Sequence, residues 1–289
     1  MSSAKPSSPS PEAALSVVAT PIGNLGDITL RALETLRGCD LILAEDTRTT
    51  RALCAAHHID RPLARLDDHA SPARVEELVS RLAAGERMAL VSDAGTPLVS
   101  DPGAMLVRAA LDAGVAVQCL PGPSAALAAL VLSGLGGGGF RFVGFLPREG
   151  VARKNALAAI ARDPLPTVLY ESPERAPETL LDLAAVCGDD RRASVSREIT
   201  KRFEETLRGP LKELCAKVTE ALRGEVAMVI DGQHQDEAAT VSDLDAALDH
   251  CLAAGMRPSE AAREVARALG MKRADVYARA LARAAEREG

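Results

Sequence analysis

Aromatic side chains are nearly missing from this sequence of 289 residues: Phe, Tyr and Trp together make up 2%, and there is no Trp. With so few rings, platforms on which exposed bases could stack are scarce. The net charge is −6, so the field of the whole molecule does not attract nucleic acid. Any contact with RNA must therefore be made by a local patch of the surface.

The sequence also lacks the features of a membrane-bound, secreted or metal-binding protein. No stretch approaches eighteen uninterrupted apolar residues, and the Ser/Pro-rich start lacks the basic-then-apolar order of a secretory signal. The six cysteines are far apart without a C-x-x-C pair, and the adjacent His57 and His58 point in different directions on a helix. We therefore expect a cytoplasmic protein with reduced thiols, no metal site and a disordered tail over residues 1–13.

Short apolar runs alternate with longer helical patterns over most of the chain, which predicts an α/β fold with a mainly parallel sheet. The predicted strands are Leu15–Thr20, Asp40–Glu45, Met88–Asp93, Val115–Leu120, Phe140–Phe145, Thr167–Glu171, Ala193–Glu198 and Glu225–Asp231. The predicted helices are Thr29–Arg37, Thr47–His57, Ala73–Ala84, Pro102–Ala113, Ser124–Ser133, Arg153–Ala161, Glu174–Val186 and Leu211–Leu222. A break near Pro121–Ser124 separates an N-terminal α/β domain, residues 14–122, from a second α/β domain, residues 123–236.

Residues 237–289 form a third part with a different composition. From Val241 onward the pattern is Ala-rich and helical, and Arg257-Pro258-Ser259 and Gly270 divide it into three short helices. From Arg257 to the end there are eight Lys or Arg against five Asp or Glu. A small helix-turn-helix-like appendage with a basic face fits this pattern, and a terminal helix pair that docks on the main body fits it equally well.

The loops that follow the first four predicted strands share one composition. They read TPIGNLGDITLRA, EDTRTTRAL, SDAGTPLVSDPG and PGPSAAL, each combining Gly or Pro with small hydroxyls or acids. Gly and Pro let backbone groups approach a ligand closely, and hydroxyls and acids bind its polar edges. Because ligands of open α/β sheets bind outside the carboxyl ends of the strands, four such loops predict a ligand crevice.

The third of these loops contains two acid-and-turn units with different expected roles. Residues from Asp93 to Pro97 stand at the end of a strand, where they can face a ligand. Residues from Ser100 to Gly103 are expected to start the next helix, with Ser100 or Asp101 near its cap and Pro102 in its first turn.

No nucleotide fingerprint accompanies the crevice. G-x-G-x-x-G is absent from these four loops, since Gly23 to Gly26 supply only G-x-x-G, and no Gly-Lys-Ser/Thr marks a P-loop. The loops also lack the clustered Lys and Arg that a triphosphate needs. A polar ligand without strong negative charge fits, and S-adenosylmethionine is one such ligand, although composition alone does not single it out.

Seven segments occur in a fixed order: ATPIGNLGDITLRALETL, AEDTRTT, LVSDAGTPLVSDPG, PGPSAALAALVLSG, FVGFLPREG, LYESPERAPETL and SREITKRFEE. From about Leu15 onward this combination resembles the bacterial ribosomal RNA small-subunit methyltransferase I family of the tetrapyrrole-methylase fold. The resemblance implies two α/β domains with a cofactor cleft between them, in a homodimer. It further implies methyl transfer from S-adenosylmethionine to the 2′-oxygen of a cytidine ribose in the decoding region of 16S ribosomal RNA, within the 30S subunit.

The resemblance also implies which residues line the cofactor. From the third loop these are Asp93, Gly95, Thr96, Pro97 and Val99, and from the second domain Ser124, Ala125 and Tyr170. The first loop closes the cleft with Pro21, Ile22 and Gly23.

A ribose 2′-hydroxyl is a weak nucleophile at neutral pH, so a general base or a cationic neighbour assists its methylation. On the sheet edge, Asp27, Glu45 and Arg48 are the candidates for these roles. Asp46 and Asp93 are further acids there, but Asp46 equally well caps the helix that follows it. Asp27 could likewise cap the helix expected from Thr29.

Two sets of basic side chains could supply the local patch for RNA. In the second domain these are Arg175, Arg197, Lys201 and Arg202, for which ion pairing with Glu198, Glu204 and Glu205 is the alternative. In the tail we expect ribosomal RNA to be held by Arg263, Arg267, Lys272 and Arg273.

Two other functions compete with RNA methylation. An enzyme of the same fold could methylate a tetrapyrrole or a protein acceptor, although EDTRTT and LYESP resemble the RNA-modifying branch. A ligand-sensing, DNA-binding regulator would use the helix-turn-helix-like tail, but few Asn, Gln or Arg side chains stand at a helix start there.

Overall fold

The computed structural model describes residues 14–67, 70–99, 103–233, 237–269, 271 and 273–288. The tail predicted over residues 1–13 and the predicted cap residues Ser100, Asp101 and Pro102 lie outside the described residues. The chain forms two compact units, residues 1–232 and 233–289. The first unit contains two five-stranded sheets, and none of the described helices is long and apolar enough to span a bilayer.

The first sheet is entirely parallel, with the strand order β3-β2-β4-β1-β5. Its strands are β1 (Leu15–Val18), β2 (Leu41–Ala44), β3 (Leu63–Arg65), β4 (Met88–Val91) and β5 (Val117–Leu120). Its helices are α1 (Leu30–Gly38), α2 (Thr47–Ala56), α3 (Pro72–Ala83) and α4 (Ala104–Asp112). The predicted parallel arrangement is confirmed here, while β3 was missed because three residues carry too little pattern.

Three central strands of this sheet are buried on both faces. β1, β2 and β4 read LSVV, LILA and MALV, and all of their residues are buried. Alternate side chains enter two separate cores, one containing Val18 and Ile42 with α1 and α2, the other containing Leu15 and Leu43 with α3 and α4. Continuous apolar runs of this kind are what a parallel sheet covered by helices requires.

The ends of β1 and β4 lie at a reversal of the chain path. These two strands are neighbours, but the connection from β1 leads to β2 on one side and the connection from β4 leads to β5 on the other. Such a switch point opens a crevice at the carboxyl edge of the sheet. The loops after β1 and β4 are therefore positioned to form a binding site.

The helix starts decide two cap alternatives that the sequence left open and correct one predicted helix start. Asp46 caps α2 by accepting a hydrogen bond from the Arg48 amide. Asp27 does not cap α1. Thr29 is the cap, because its hydroxyl accepts a hydrogen bond from the Ala32 amide, and Asp27 lies exposed in a 3₁₀ turn. The helix predicted from Pro102 begins at Ala104, after Gly103, which has a positive φ and supplies no side-chain cap.

The second sheet is mixed, with the strand order β6-β7-β10-β8-β9. Its strands are β6 (Arg141–Phe145), β7 (Thr167–Glu171), β8 (Arg192–Arg197), β9 (Glu205–Pro210) and β10 (Val226–Ile230). Its helices are α5 (Ala125–Ser133), α6 (Gly150–Arg162), α7 (Ala176–Cys187) and α8 (Leu211–Lys217). Only β6 and β7 pair in parallel.

The prediction of a mainly parallel sheet is therefore wrong for this half. No helix separates β8 from β9, and a short connection of this kind joins antiparallel strands. β9 was missed because ETLRGP is polar and ends in Gly-Pro, a composition compatible with an edge strand.

The two faces of the second sheet bury different partners. α6, α7 and α8 cover one face. On the other face α5 packs through Ala126 and Ala129 against Val168 and Val229, and Ile22 from the loop after β1 joins the same core. The first loop of the N-terminal sheet is thus anchored on the second sheet.

The second unit consists of three helices. These are α9 (Glu237–Ala253), α10 (Pro258–Leu269) and α11 (Arg273–Glu288). They enclose a core that includes Leu248, Val265 and Val276. Arg279 pairs with Asp245 at 2.5 Å, which ties α11 to α9.

Candidate active site

The loops after β1 and β4 are joined by a two-residue antiparallel bridge. The Thr20 amide donates to the Gly95 carbonyl at 2.8 Å, and the Gly95 amide donates to the Thr20 carbonyl at 3.1 Å. The Thr20 hydroxyl also donates to the Ser92 carbonyl. Gly95 has a φ of 83°, a conformation that favours glycine, so this close approach depends on the residue type. The bridge holds the two loops in one fixed arrangement.

A second contact fixes the loop after β4 to the linker between the sheets. The Thr96 hydroxyl donates to the Pro123 carbonyl at 3.2 Å, and the Ser124 hydroxyl caps α5. A Cβ on Gly122 would come within 2.9 Å of the Ala19 side chain. The PGPS segment is therefore pressed against the end of β1.

A first cavity of about 310 Å³ lies where these loops face the second sheet. Its described lining residues are Ile22, Ala94, Gly95, Thr96, Val99, Ser124, Ala125, Phe145, Tyr170, Glu171, Ser172, Pro173, Ile199, Glu225, Val226 and Ala227. The walls are mostly apolar with a few hydroxyls and two carboxylates, and none of these residues is Lys or Arg. A cavity of this size and character suits a small ligand with a flat apolar part and a positive charge.

A second cavity of about 280 Å³ adjoins the first. Its described lining residues are Thr20, Pro21, Ile22, Gly23, Leu25, Thr49, Thr50, Ala52, Leu53, Ser92, Asp93, Ala94, Lys201 and Glu225. Ile22, Ala94 and Glu225 line both cavities. The two spaces therefore share a wall, and the second is richer in hydroxyl and charged groups.

Ten of the eleven residues implied as cofactor ligands line one or both of the two cavities. Those that line the first cavity are Ile22, Gly95, Thr96, Val99, Ser124, Ala125 and Tyr170. Those that line the second are Pro21, Ile22, Gly23 and Asp93. Pro97 is not among the described lining residues of either.

Sequence reasoning missed the contribution of β10. It examined the residues after each strand, but β10 runs antiparallel to β7, with Val226 opposite Glu171 and Ala227 opposite Tyr170. The amino end of β10 therefore lies at the cavity edge, and it brings Glu225 there. Only the strand direction could have revealed this.

The three candidate catalytic residues are not among the lining residues of either cavity. Arg48 forms a bidentate pair with Asp46, with Nη2 and Oδ2 2.6 Å apart, and this pairing lowers the pKa of Asp46 to about 2. Glu45 is half-buried at the end of β2, and Asp27 is exposed. The Asp46 amide donates to Asp93 Oδ1 at 3.1 Å, which links the start of α2 to the loop after β4.

The basic residues predicted in the second domain are largely engaged within the protein. Arg197 pairs with Glu205 at 2.7 Å. Arg175 donates to the Arg148 carbonyl. Arg202 lies over the ring of Phe203, 5.6 Å from its centre. Ion pairing thus accounts for Arg197, as the alternative interpretation expected.

Lys201 lies between two carboxylates. Its Nζ contacts Glu198 Oε1 at 2.9 Å and Glu225 Oε2 at 2.8 Å. These carboxylates raise its pKa although partial burial opposes them, and Lys201 in turn lowers the pKa of Glu198. The ammonium is therefore held charged beside the second cavity.

Known proteins share this architecture. Residues 14–215 match the family described as Tetrapyrrole (Corrin/Porphyrin) Methylases. The uroporphyrin-III C-methyltransferase of Thermus thermophilus superposes with a TM-score of 0.54 at 18% identity, over 75% of this chain and 93% of that one. A cobalt precorrin-4 methyltransferase gives a TM-score of 0.58 at 18% identity, over 75% and 94%. Two sheets with a cleft between them thus define the class as a tetrapyrrole-methylase-type methyltransferase.

Closer relatives specify the family. The ribosomal RNA small subunit methyltransferase I of Xylella fastidiosa is 44% identical over 91% of this chain and 97% of its own length. The protein of that name from Mesorhizobium japonicum is 43% identical over 93% and 92%. Residues 238–284 match the RsmI C-terminal HTH domain. The chain belongs to the ribosomal RNA small subunit methyltransferase I family, and it is a methyltransferase that uses S-adenosylmethionine.

Proposed function

We propose that the protein transfers a methyl group from S-adenosylmethionine to the 2′-oxygen of a cytidine ribose in the decoding region of 16S ribosomal RNA. The observation that carries this proposal is the first cavity, placed between the two sheets of a chain that resembles small-subunit rRNA methyltransferases along nearly its whole length. The assembled 30S subunit is the proposed acceptor particle, and the cytoplasm is the proposed location.

The residues of the first cavity fit S-adenosylmethionine. Tyr170, Ile199 and Ala227 offer apolar surface for an adenine ring, and the hydroxyls of Thr96 and Ser124 can accept hydrogen bonds. The absence of Lys and Arg from its described lining suits a ligand that carries a sulfonium. When bound, this donor supplies an electrophilic methyl group on a good leaving group. The chain contributes alignment of the acceptor oxygen with that methyl, which accounts for much of the rate in such displacements.

Glu171 contributes to this cavity as a structural residue. It is buried, its Oε1 accepts from the Ser172 amide at 2.8 Å, and its Oε2 accepts from the Thr179 hydroxyl at 2.6 Å. Thr179 also accepts from Arg153, which pairs with Asp182. This network fixes the LYESP loop that forms one wall.

We further propose that the protein is a homodimer and that residues 14–122, 123–236 and 237–289 are its domain bounds. Support for the dimer comes from Leu127 and Val131, which lie one turn apart on α5 and are 51% and 79% exposed. Large apolar side chains this exposed favour burial against a second copy. Light scattering would test the dimer: a monomer at micromolar concentration would contradict it.

Mapping of ribose methylation tests the reaction itself. Small-subunit rRNA from cells with and without the gene should differ by one 2′-O-methylcytidine in the decoding region. Purified protein should transfer labelled methyl from S-adenosylmethionine to 30S subunits that lack the modification. Methylation of a free porphyrinoid without methylation of rRNA would overturn the proposal in favour of the tetrapyrrole alternative.

A further inference from the structure

The second cavity stands where an acceptor must be placed. It shares the wall formed by Ile22, Ala94 and Glu225 with the first cavity, so a group bound in one space meets a group bound in the other at this wall. In a methyl displacement the acceptor oxygen approaches the methyl from the side opposite the sulfur, so donor and acceptor occupy adjoining spaces. Hydroxyl and charged side chains around the second cavity suit a nucleoside better than an apolar ligand.

One carboxylate and one ammonium meet at this shared wall. Glu225 lines both cavities, its side chain is 72% exposed, and its Oε2 lies 2.8 Å from Lys201 Nζ. Lys201 is held from its other side by Glu198, whose Oε1 also accepts from the Glu225 amide. Glu198, Lys201 and Glu225 therefore form a connected group, called here the acid–lysine cluster.

The backbone under this cluster is strained. Glu198 and Thr200 have φ values of 52° and 67°, which non-glycine residues rarely adopt. Such strain persists where the surrounding structure enforces it, and it concentrates at functional sites. The Thr200 hydroxyl is buried and has no hydrogen-bond partner among the described residues. A Cβ on Gly23 would lie 2.5 Å from Lys201 Cγ, so the first loop presses on the lysine.

Three other carboxylates near the cavities accept hydrogen bonds from groups of the protein. Asp93 Oδ1 accepts from the Asp46 amide, Glu198 Oε1 accepts from Lys201 and from the Glu225 amide, and Glu171 is engaged at both oxygens. Glu225 differs because it is exposed at the wall between the two spaces.

We propose that the second cavity takes the acceptor nucleoside and that Glu225, positioned by Lys201, accepts the proton of the ribose 2′-hydroxyl. This inference rests on the proposed function. As the bond from the 2′-oxygen to the methyl carbon forms, the bond from that carbon to sulfur breaks, and sulfur keeps the electron pair. The 2′-hydroxyl proton passes to the Glu225 carboxylate and from there to solvent. Lys201 keeps Glu225 oriented, and its charge stabilises oxyanion character on the attacking oxygen.

The test combines Glu225→Gln with a matched surface change, Glu213→Gln. Glu213 forms an exposed pair with Lys217 within α8 and is not among the residues that line either cavity. Single-turnover methylation of unmodified 30S subunits gives the chemical rate, calorimetry gives the dissociation constant for S-adenosylmethionine, and filter binding gives that for 30S subunits. Glu225→Gln should lower the single-turnover rate about 100-fold or more, the usual contribution of a general base. Both dissociation constants should stay within threefold, and Glu213→Gln should match the wild type in all three.

Changes at Lys201 provide a second readout. Lys201→Met should lower the single-turnover rate, and Lys201→Arg should restore part of it, because the cation rather than the chain length is required. A Glu225→Gln variant that methylates within threefold of the wild-type rate would overturn the inference while leaving the proposed function intact. Loss of cofactor affinity in parallel with the rate would also overturn it, by making Glu225 a cofactor ligand. A wild-type protein that binds S-adenosylmethionine but labels no rRNA would overturn both.

Discussion

Gly224 offers a sharp test of whether the acid–lysine cluster depends on backbone geometry. It has a φ of 83°, and a Cβ at this position would lie well inside van der Waals contact of Glu198 Oε1. Gly224→Ala should therefore combine two effects. The left-handed backbone costs an ordinary residue about 1–2 kcal/mol. The new methyl group also displaces the Glu198 carboxylate from Lys201 and from the Glu225 amide.

Glu198 is only 18% exposed, so loss of its charge-assisted hydrogen bonds is not fully replaced by water. Such bonds contribute about 1.5–3 kcal/mol each, which places the extra cost of Gly224→Ala at about 1–3 kcal/mol after partial relaxation of the side chain. The variant should also methylate more slowly than the wild type, because Lys201 loses the partner that holds it beside Glu225.

Gly114→Ala is the matched control. Gly114 has a φ of 72°, and nothing lies within 4 Å of a Cβ built there. This variant carries the same backbone cost without the displaced carboxylate. Urea unfolding should show a loss of about 1–2 kcal/mol for Gly114→Ala and a clearly larger one for Gly224→Ala, with slow single-turnover methylation only in the latter. Equal losses of stability together with equal rates would refute the reasoning.

Three further predictions concern RNA binding and pH. Arg263 and Arg267 are exposed and lie one turn apart on α10. Changing both to Glu should weaken 30S binding most at low salt, while the affinity for S-adenosylmethionine stays unchanged. A double variant that binds 30S subunits as tightly as the wild type at every salt concentration would contradict a role for this face. Phe203 is 64% exposed and follows Arg202. If an RNA base stacks on this ring, Phe203→Ala should raise the KM for 30S subunits without changing cofactor affinity. Phe203→Tyr keeps a ring and should leave the KM unchanged. Arg141 lowers the pKa of the buried Asp163 below its usual 3.8. The Arg141–Asp163 pair therefore stabilises the folded protein fully above the usual pKa of Asp163, and this stabilisation is lost as the pH falls through the lower pKa that Asp163 has in the folded protein. The difference in unfolding free energy between the wild type and Asp163→Asn should therefore shrink below about pH 4, and a difference that is constant from pH 7 to pH 3 would argue against this pairing.

Much of the N-terminal sheet was readable from local sequence. LSVV, LILA and MALV are short runs that can be buried on both faces, and Gly, Pro, hydroxyls and acids mark the loops that follow. These signals depend on residues close together in the chain, which is why the central strands and their parallel arrangement were predicted and Asp46 was recognised as a candidate cap. The first and third loops, the PGPS linker and Tyr170 were placed at a cofactor site by resemblance, and the structure brings most of them to one cavity.

Other features depend on contacts between distant parts of the chain. The direction of β10 is decided by its pairing with β7 and β8, and only this antiparallel pairing brings Glu225 to the cleft. Glu225 and Lys201 are 24 positions apart, and their ion pair depends on how the second sheet is assembled. For Arg48 a local contact decided against the prediction. The sequence made Arg48 a candidate for substrate contact, but its guanidinium pairs with Asp46, two residues away.

The sequence by itself determined the α/β class, the ligand loops of the first sheet, the helical C-terminal part and the family, because these follow from local patterning and ordered motifs. Only the tertiary structure decided the mixed second sheet, the two adjoining cavities and the acid–lysine cluster at their shared wall. The physical reason is that strand direction and long-range ion pairs are set by packing between segments, which no short stretch of sequence encodes.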